Sequence, residues 1–285
     1  MDQYLYYNGE ILPADAPLIT AGNRGLRYGD GLFETIKVTD GIMPLFQLHM
    51  ERMWLGLSVL QMELPESYTP DYIQETIINL CRRNNTLPAA RVRITIVRGN
   101  GTLYSSNSPH ASIIIQSEPL GADYLTLNTL GFTIDVYTEV QKSCDLLSNL
   151  KSNNYLPYVM AALYSRKQQL NDCLLMNSHG RICDATIANV FWVHNNHIFT
   201  PPLSEGGVAG VMRKHLLYEL PNAGYTVHEK PCTVASLEAA DEIFLTNALY
   251  GIRWVQQFGT KLYSNQFIKE LYERFIKTGI PSQLS

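Results

Sequence analysis

The chain has 285 residues, 46% hydrophobic and 17% charged, which is enough for two cores of ordinary size and excludes a disordered or low-complexity protein. A net charge of -4, with no basic run longer than the pairs Arg82-Arg83 and Arg213-Lys214, gives no footprint for nucleic acid. No apolar run reaches the length of a membrane span, the start "MDQYLYYNGE" lacks the charged stub and apolar stretch of a signal peptide, and a cytosolic chain is expected.

The first elements are a hairpin, "YLYYNGEIL", turning at Asn8-Gly9, and a second one, "LFETIKVTDGIMPLF", turning at Asp40-Gly41. Helical periodicity follows in "QLHMERMWLGLSVL" and "PDYIQETIINLCRRNN", then two apolar strands, "RVRITIVRG" and "ASIIIQS". These form an α+β domain over residues 1–118. Residues 119–130 have no clear periodicity and fit a linker. The domain expected over 131–285 contains the strand "FTIDVY", a helix after Lys151, "CLLMNSHGRICDATIANVFWVHNNHIFTPP" with turns at His179-Gly180 and Asn195-Asn196, a helix from about Val211, and the strand "DEIFLTN". The five cysteines lie far apart with no C-x-x-C pair, arguing against disulfides or zinc and for inert core thiols.

Four features carry possible chemistry. Lys151 sits in the uncharged run "SNLKSNNY"; it reads as a solvated charge, or, if partly desolvated, as a neutral amine able to form a Schiff base. "GGVAGVMRKHLLYEL" leads three glycines into a helix whose first amides, at Val211 and Met212, suit a phosphate, or it is a plain glycine-rich loop. His49 and Arg52 share a helical face, where Arg52 serves a phosphate or pairs with a neighbouring acid. Asp184 is an exposed hairpin acid, or a buried one that needs a cationic partner.

In this order, with "NGEIL", "NRGLRYGDGLFETIKV", "LHMERM", "NLKSNN", "DATIANVFW", "TPPLSEGGVAGVMR" and "ADEIFLTNALYG", these features resemble the class IV aminotransferases, the fold type IV pyridoxal phosphate enzymes. That group includes branched-chain aminotransferases, D-amino acid aminotransferases and aminodeoxychorismate lyase. The resemblance implies an α+β, two-domain fold with a cofactor cleft between domains, a homodimer, and pyridoxal 5'-phosphate as cofactor. It implies Lys151 as the Schiff-base lysine, Arg52 and the amides of Val211 and Met212 as phosphate ligands, Val208 against the ring, Asn247 near the phosphate, and Asp184 at the ring nitrogen. The family usually has glutamate where Asp184 stands. Arg98 and Arg93 match substrate-carboxylate arginines of the D-amino acid and branched-chain enzymes respectively. Being an odd number of residues apart, they face opposite sides of a regular strand. Phe33 is a further substrate-side position.

Asn100 departs from the D-specific pattern, and the loop "RGNGTLYS" lacks a lyase arginine. "TNALYG" is nearer to the lyase, whereas Glu34 matches the aminotransferases. The reading is amino transfer from a branched-chain-like amino acid to a 2-oxo acid, with 4-amino-4-deoxychorismate cleavage to pyruvate and 4-aminobenzoate as the alternative.

Overall fold

The computed structural model describes residues 3–104 and 110–277. Ser105, which ends the loop quoted above, and residues 278–285 of the second expected domain lie outside them. The described chain forms two compact units. One holds residues up to 121 together with 151–154; the other holds 122–150 and continues from 155.

In the first unit, β1 (Tyr4–Tyr7) and β2 (Glu10–Pro13) make the hairpin at Asn8-Gly9, both with positive φ as a two-residue turn demands. A short helix, α1 (Arg24–Tyr28), precedes β3 (Gly31–Thr39), and then come α2 (Phe46–Val59), α3 (Pro70–Arg83), β4 (Ala89–Arg98) and β5 (Ala111–Pro119). The strands form one sheet in the order β2-β1-β5-β4-β3. The expected second hairpin is corrected: Asp40 and Gly41 do turn the chain, but the return makes only a bridge from Ile42 to Thr39. Pro44 cannot donate to a ladder, and the apolar run beyond it belongs to helix α2. One face of the sheet is apolar, with Ile36, Val38, Val92, Ile94, Ile113 and Ile115 fully buried under α2 and α3. Its other face carries Thr35, Lys37, Arg91, Arg93 and Thr95, the polar alternation of an antiparallel sheet.

The second unit contains β6 (Phe132–Lys142), α4 (Leu156–Lys167), β7 (Asp172–Asn177), β8 (Ile182–Ala185), β9 (Asn189–His194) and β10 (His197–Thr200). After these come α5 (Val211–Asn222), β11 (Val227–Glu229), α6 (Val234–Ala239), β12 (Glu242–Asn247), β13 (Gly251–Phe258), β14 (Lys261–Leu262) and α7 (Gln266–Tyr272). Its strands form a mixed sheet in the order β11-β10-β9-β12-β13-β6-β7-β8, with β14 beside β13. The turns at Gly180 and at Asn195-Asn196 have the positive φ their residues favour. Buried Glu242 accepts the backbone N–H groups of Phe267 and Ile268 at 3.0 and 2.9 Å, anchoring the first turn of α7 to β12. Of the stretch read as a linker, residues 122–130 are bound into this unit: Asn128 donates to the Trp254 carbonyl, and Arg253 to that of Thr126.

All five cysteines are free, and four are buried. Cys144 is exposed, because it falls in the loop after β6 rather than in a core strand. No helix of the described residues is long and apolar enough to cross a membrane.

Candidate active site

In the first unit the sheet carries the lysine directly. Residues 151–153 run antiparallel along the start of β3: Phe33 N–H donates to the Lys151 carbonyl at 2.9 Å, and Asn153 N–H to that of Gly31 at 2.9 Å. The glycines of "YGDG" make this approach possible. Gly29 has φ 66° and a Cβ there would strike the Asn154 amide, while a Cβ on Gly31 would meet Asn153 and the Ile96 carbonyl.

The Lys151 Nζ lies 4.4 Å from the centroid of the Phe33 ring, and the Arg93 guanidinium 3.9 Å from the same centroid. Two cations therefore gather on one aromatic ring. Leu32, Phe33, Glu34, Arg52, Gly56 and Lys151 line one pocket. Glu34 extends from the opposite face of β3 toward α2, where the i, i+3 spacing presents both His49 and Arg52 to it. Arg52 donates from Nε to Oε1 at 2.8 Å and from Nη2 to Oε2 at 2.6 Å, and His49 Nδ1 is 2.7 Å from Oε2.

Burial pushes the Glu34 carboxyl up, but the Arg52 and His49 charges and hydrogen bonds outweigh it and hold it at about 2. Burial lowers the fully buried His49 against the pull of Glu34, and its Nε2 is buried without a hydrogen-bond partner.

Arg98 is occupied elsewhere. Its Nε donates to Asp30 Oδ2 at 2.9 Å, Nη1 to the Gln61 carbonyl at 2.9 Å and Nη2 to the Leu60 carbonyl, which ties the end of β4 to the end of α2. Arg93, on the other side of the strand, bonds Thr95 Oγ1 at 3.2 Å and keeps its guanidinium over Phe33.

In the second unit Asp184 lies on β8, only 2% exposed, and it has the cation that a buried carboxylate needs. That cation is Lys142 at the end of β6, with Nζ 3.0 Å from Oδ2 and 3.3 Å from Oδ1. The Tyr158 hydroxyl of α4 donates to Oδ2 at 2.9 Å, and Val208 N–H does so at 2.9 Å. Lys142 also touches the Tyr158 hydroxyl. Neither Lys142 nor Tyr158 stands out in the sequence, where "FTIDVY" ends five residues short of Lys142. The available signal is Asp184 itself, which if buried requires a cation.

The loop before α5 is fixed from several sides. Asn149 Nδ2 donates to the Leu203 and Gly207 carbonyls at 2.8 and 2.6 Å, and Asn189 Nδ2 to that of Val208 at 2.8 Å. Gly210 is the N-cap, offering no side-chain oxygen to the first amides, and a Cβ on it would collide with the Asn189 Oδ1. Val211 and Met212 are buried, and a buried helix start without a capping side chain suits an anion. Asn247 uses its side chain locally, accepting from Leu249 and Tyr250 N–H at 2.9 and 3.1 Å and donating to the Ile187 carbonyl at 3.3 Å.

In the first unit a primary amine and an arginine share one pocket, and in the second a buried acid has a cationic partner and a helix starts without a capping side chain; each by itself is a donor set that pyridoxal phosphate can use. Residues 31–258 match the family model described as Amino-transferase class IV. The chain is 31% identical over 236 residues to the aminodeoxychorismate lyase of Vibrio harveyi, covering 82% of this chain and 85% of that one. It is 26% identical over 279 residues to a putative branched-chain-amino-acid aminotransferase of Methanocaldococcus jannaschii, covering 95% and 93%. In three dimensions its fold is similar to that of the branched-chain aminotransferase of Thermoproteus uzoniensis solved with norvaline, at a TM-score of 0.84 and 22% identity, over 96% of this chain and 94% of that one.

Proposed function

The chain belongs to the class IV aminotransferases, enzymes that use pyridoxal phosphate, and on that premise we propose that it moves an amino group between a branched-chain-like amino acid and a 2-oxo acid. The observation that carries the reading is Lys151 lining one pocket with Arg52 and Glu34. When bound, pyridoxal phosphate supplies a carbonyl carbon that joins amines and a ring that takes up the electrons released at the substrate Cα. Lys151 Nζ would be the amine that bonds the cofactor and the base that takes the Cα proton.

Arg52 and the amides of Val211 and Met212 would hold the phosphate, with Asn247 as a further residue for it. Val208 would pack on the ring, and Asp184 would meet the ring nitrogen. On the substrate side the roles fall to Phe33 and Arg93. Arg93 is preferred to Arg98 for the carboxylate because its guanidinium lies over the same Phe33 ring as the Lys151 amine, whereas Arg98 ties the end of β4 to Asp30 and the end of α2.

A second reading, cleavage of 4-amino-4-deoxychorismate to pyruvate and 4-aminobenzoate, is favoured by the Vibrio harveyi relative and by the "TNALYG" stretch. Glu34 favours amino transfer. One experiment tests both. Borohydride reduction of protein saturated with pyridoxal phosphate should place the adduct on Lys151; turnover is then measured with L- and D-amino acids plus 2-oxoglutarate, and separately with aminodeoxychorismate. Keto acid from the first set and no pyruvate from the second supports the aminotransferase. An adduct on another lysine overturns the site.

The working form is a homodimer in the cytoplasm. Its support is an apolar stripe on α4, where Leu156, Val159, Met160 and Leu163 are 75%, 44%, 45% and 56% exposed at helical spacing. Light scattering that gives the mass of one chain at full activity would refute the dimer.

A further inference from the structure

Asp184 receives its donors unevenly. Oδ2 takes Lys142 Nζ at 3.0 Å, the Tyr158 hydroxyl at 2.9 Å and Val208 N–H at 2.9 Å, whereas Oδ1 has only the longer 3.3 Å contact with Lys142. A carboxylate has about four acceptor sites, so Oδ1 retains room for a donor. Burial, then the Asp184 charge, pushes the Tyr158 hydroxyl well above its ordinary range, so Tyr158 remains a donor. Its ring stacks on Tyr155 at 4.3 Å between centroids, which limits where the hydroxyl can point. Stability alone does not account for Lys142, since a buried ion pair is often no better than apolar residues of the same volume.

We propose that Lys142 and Tyr158 are positioning residues that act through Asp184, saturating Oδ2 so that a proton shared between Oδ1 and a cofactor ring nitrogen rests on the nitrogen. The proposal depends on the reading that Asp184 meets that nitrogen. Lys142 Nζ contacts the carboxylate directly, at 3.0 and 3.3 Å, and would meet a donor on Oδ1 only across that oxygen. Its charge therefore stabilises the ionised carboxylate more than it repels the protonated partner. The proton moves only between the two atoms, and no other group gains or loses one. The aspartate, one methylene shorter than glutamate, has less freedom to find an alternative pose once Oδ2 is bound three ways.

The test reconstitutes the full chain with pyridoxal phosphate labelled with 15N in the ring and reads the nitrogen chemical shift of the resting enzyme. Wild type and Lys142→Arg should give the protonated shift, Lys142→Met should move toward the unprotonated value, and Tyr158→Phe should move the same way by less. In Lys142→Met, kcat should fall by about tenfold or more, the scale of losing an outer-sphere partner of a reactive centre, with KM changing far less. If Lys142→Met does not fold, Tyr158→Phe and Lys142→Arg decide by the same readout. An unchanged shift in Lys142→Met, or in Tyr158→Phe where only that variant folds, overturns the proposal. Asp184→Asn separates the two claims. If it moves the shift while the Lys142 and Tyr158 variants do not, only this proposal fails; if it leaves the shift unchanged, the placement of Asp184 fails as well.

Discussion

Glu34 and Arg52 form a two-pronged ion pair across β3 and α2, with nitrogen to oxygen distances of 2.8 and 2.6 Å and the glutamate 2% exposed. The Glu34 carboxyl is held at about 2, below its ordinary 4.5, so its contribution is fully present above 4.5 and is lost as pH falls through about 2. Glu34→Gln should therefore destabilise the protein by roughly 3 kcal/mol near neutrality, the scale of breaking a buried pair. The difference should shrink as the medium is acidified. Urea unfolding of both proteins along a pH series checks it, and a constant difference down to low pH would refute it.

Asp172 has the opposite sign. Its Oδ1 accepts the Thr186 hydroxyl at 2.6 Å and the Thr186 and Cys173 N–H groups at 3.1 and 2.7 Å, but burial outweighs these bonds and raises it to about 6. Stability from this group is complete below the ordinary carboxylate value of 3.8 and is lost as pH rises through about 6. Asp172→Asn keeps the accepting oxygen and removes the charge. It should stabilise the protein by about 1–3 kcal/mol at pH 7 and have little effect near pH 4, as read from melting temperatures at both.

The two arginines of β4 should separate cleanly in kinetics. Arg93→Gln should raise KM for a carboxylate substrate by about tenfold or more, the loss of one charge-assisted bond. Arg98→Gln should leave KM close to wild type and lower stability, because Asp30 and the carbonyls at the end of α2 lose their donor. Steady-state kinetics beside thermal melts distinguishes them; the reverse pattern would exchange their roles.

Gly210→Ala tests the helix start. The backbone there, φ -66° and ψ 135°, accepts any residue, so the expected harm comes from the collision with Asn189, which holds the Val208 carbonyl. Apparent affinity for pyridoxal phosphate, followed by absorbance titration, should fall by about tenfold, as expected when charge-assisted bonds are misaligned. Unchanged affinity would show that the loop tolerates the shift.

Much of this is legible in the sequence, and for identifiable reasons. Asn8-Gly9, Asn195-Asn196 and the 3.6-residue periods of α2 and α3 are local signals, and the structure places each as read. The i, i+3 pair His49 and Arg52 does share a face, and an acid does pair with Arg52; that the acid is Glu34, 18 residues earlier, is a tertiary fact. The run after Asp40-Gly41 reads as a return strand because a short apolar run looks alike in strand and helix. Lys142 lies hidden because β6 continues past an irregular register between Tyr137 and Gln141, which breaks the alternation that marks a strand.

The lysine-bearing tetrapeptide 151–154 has a consequence for how the protein is made. On the ribosome every strand of the first sheet emerges before it does, yet β3, at the edge of that sheet, still has the Phe33 amide and the Gly31 carbonyl facing outward. The nascent first unit therefore waits, with an open sheet edge of the kind that recruits foreign strands, while residues 122–150 are synthesised. The peptide that carries the amine also covers the first three residues of this edge, so translation speed through that stretch bears on how long they stay open to other strands.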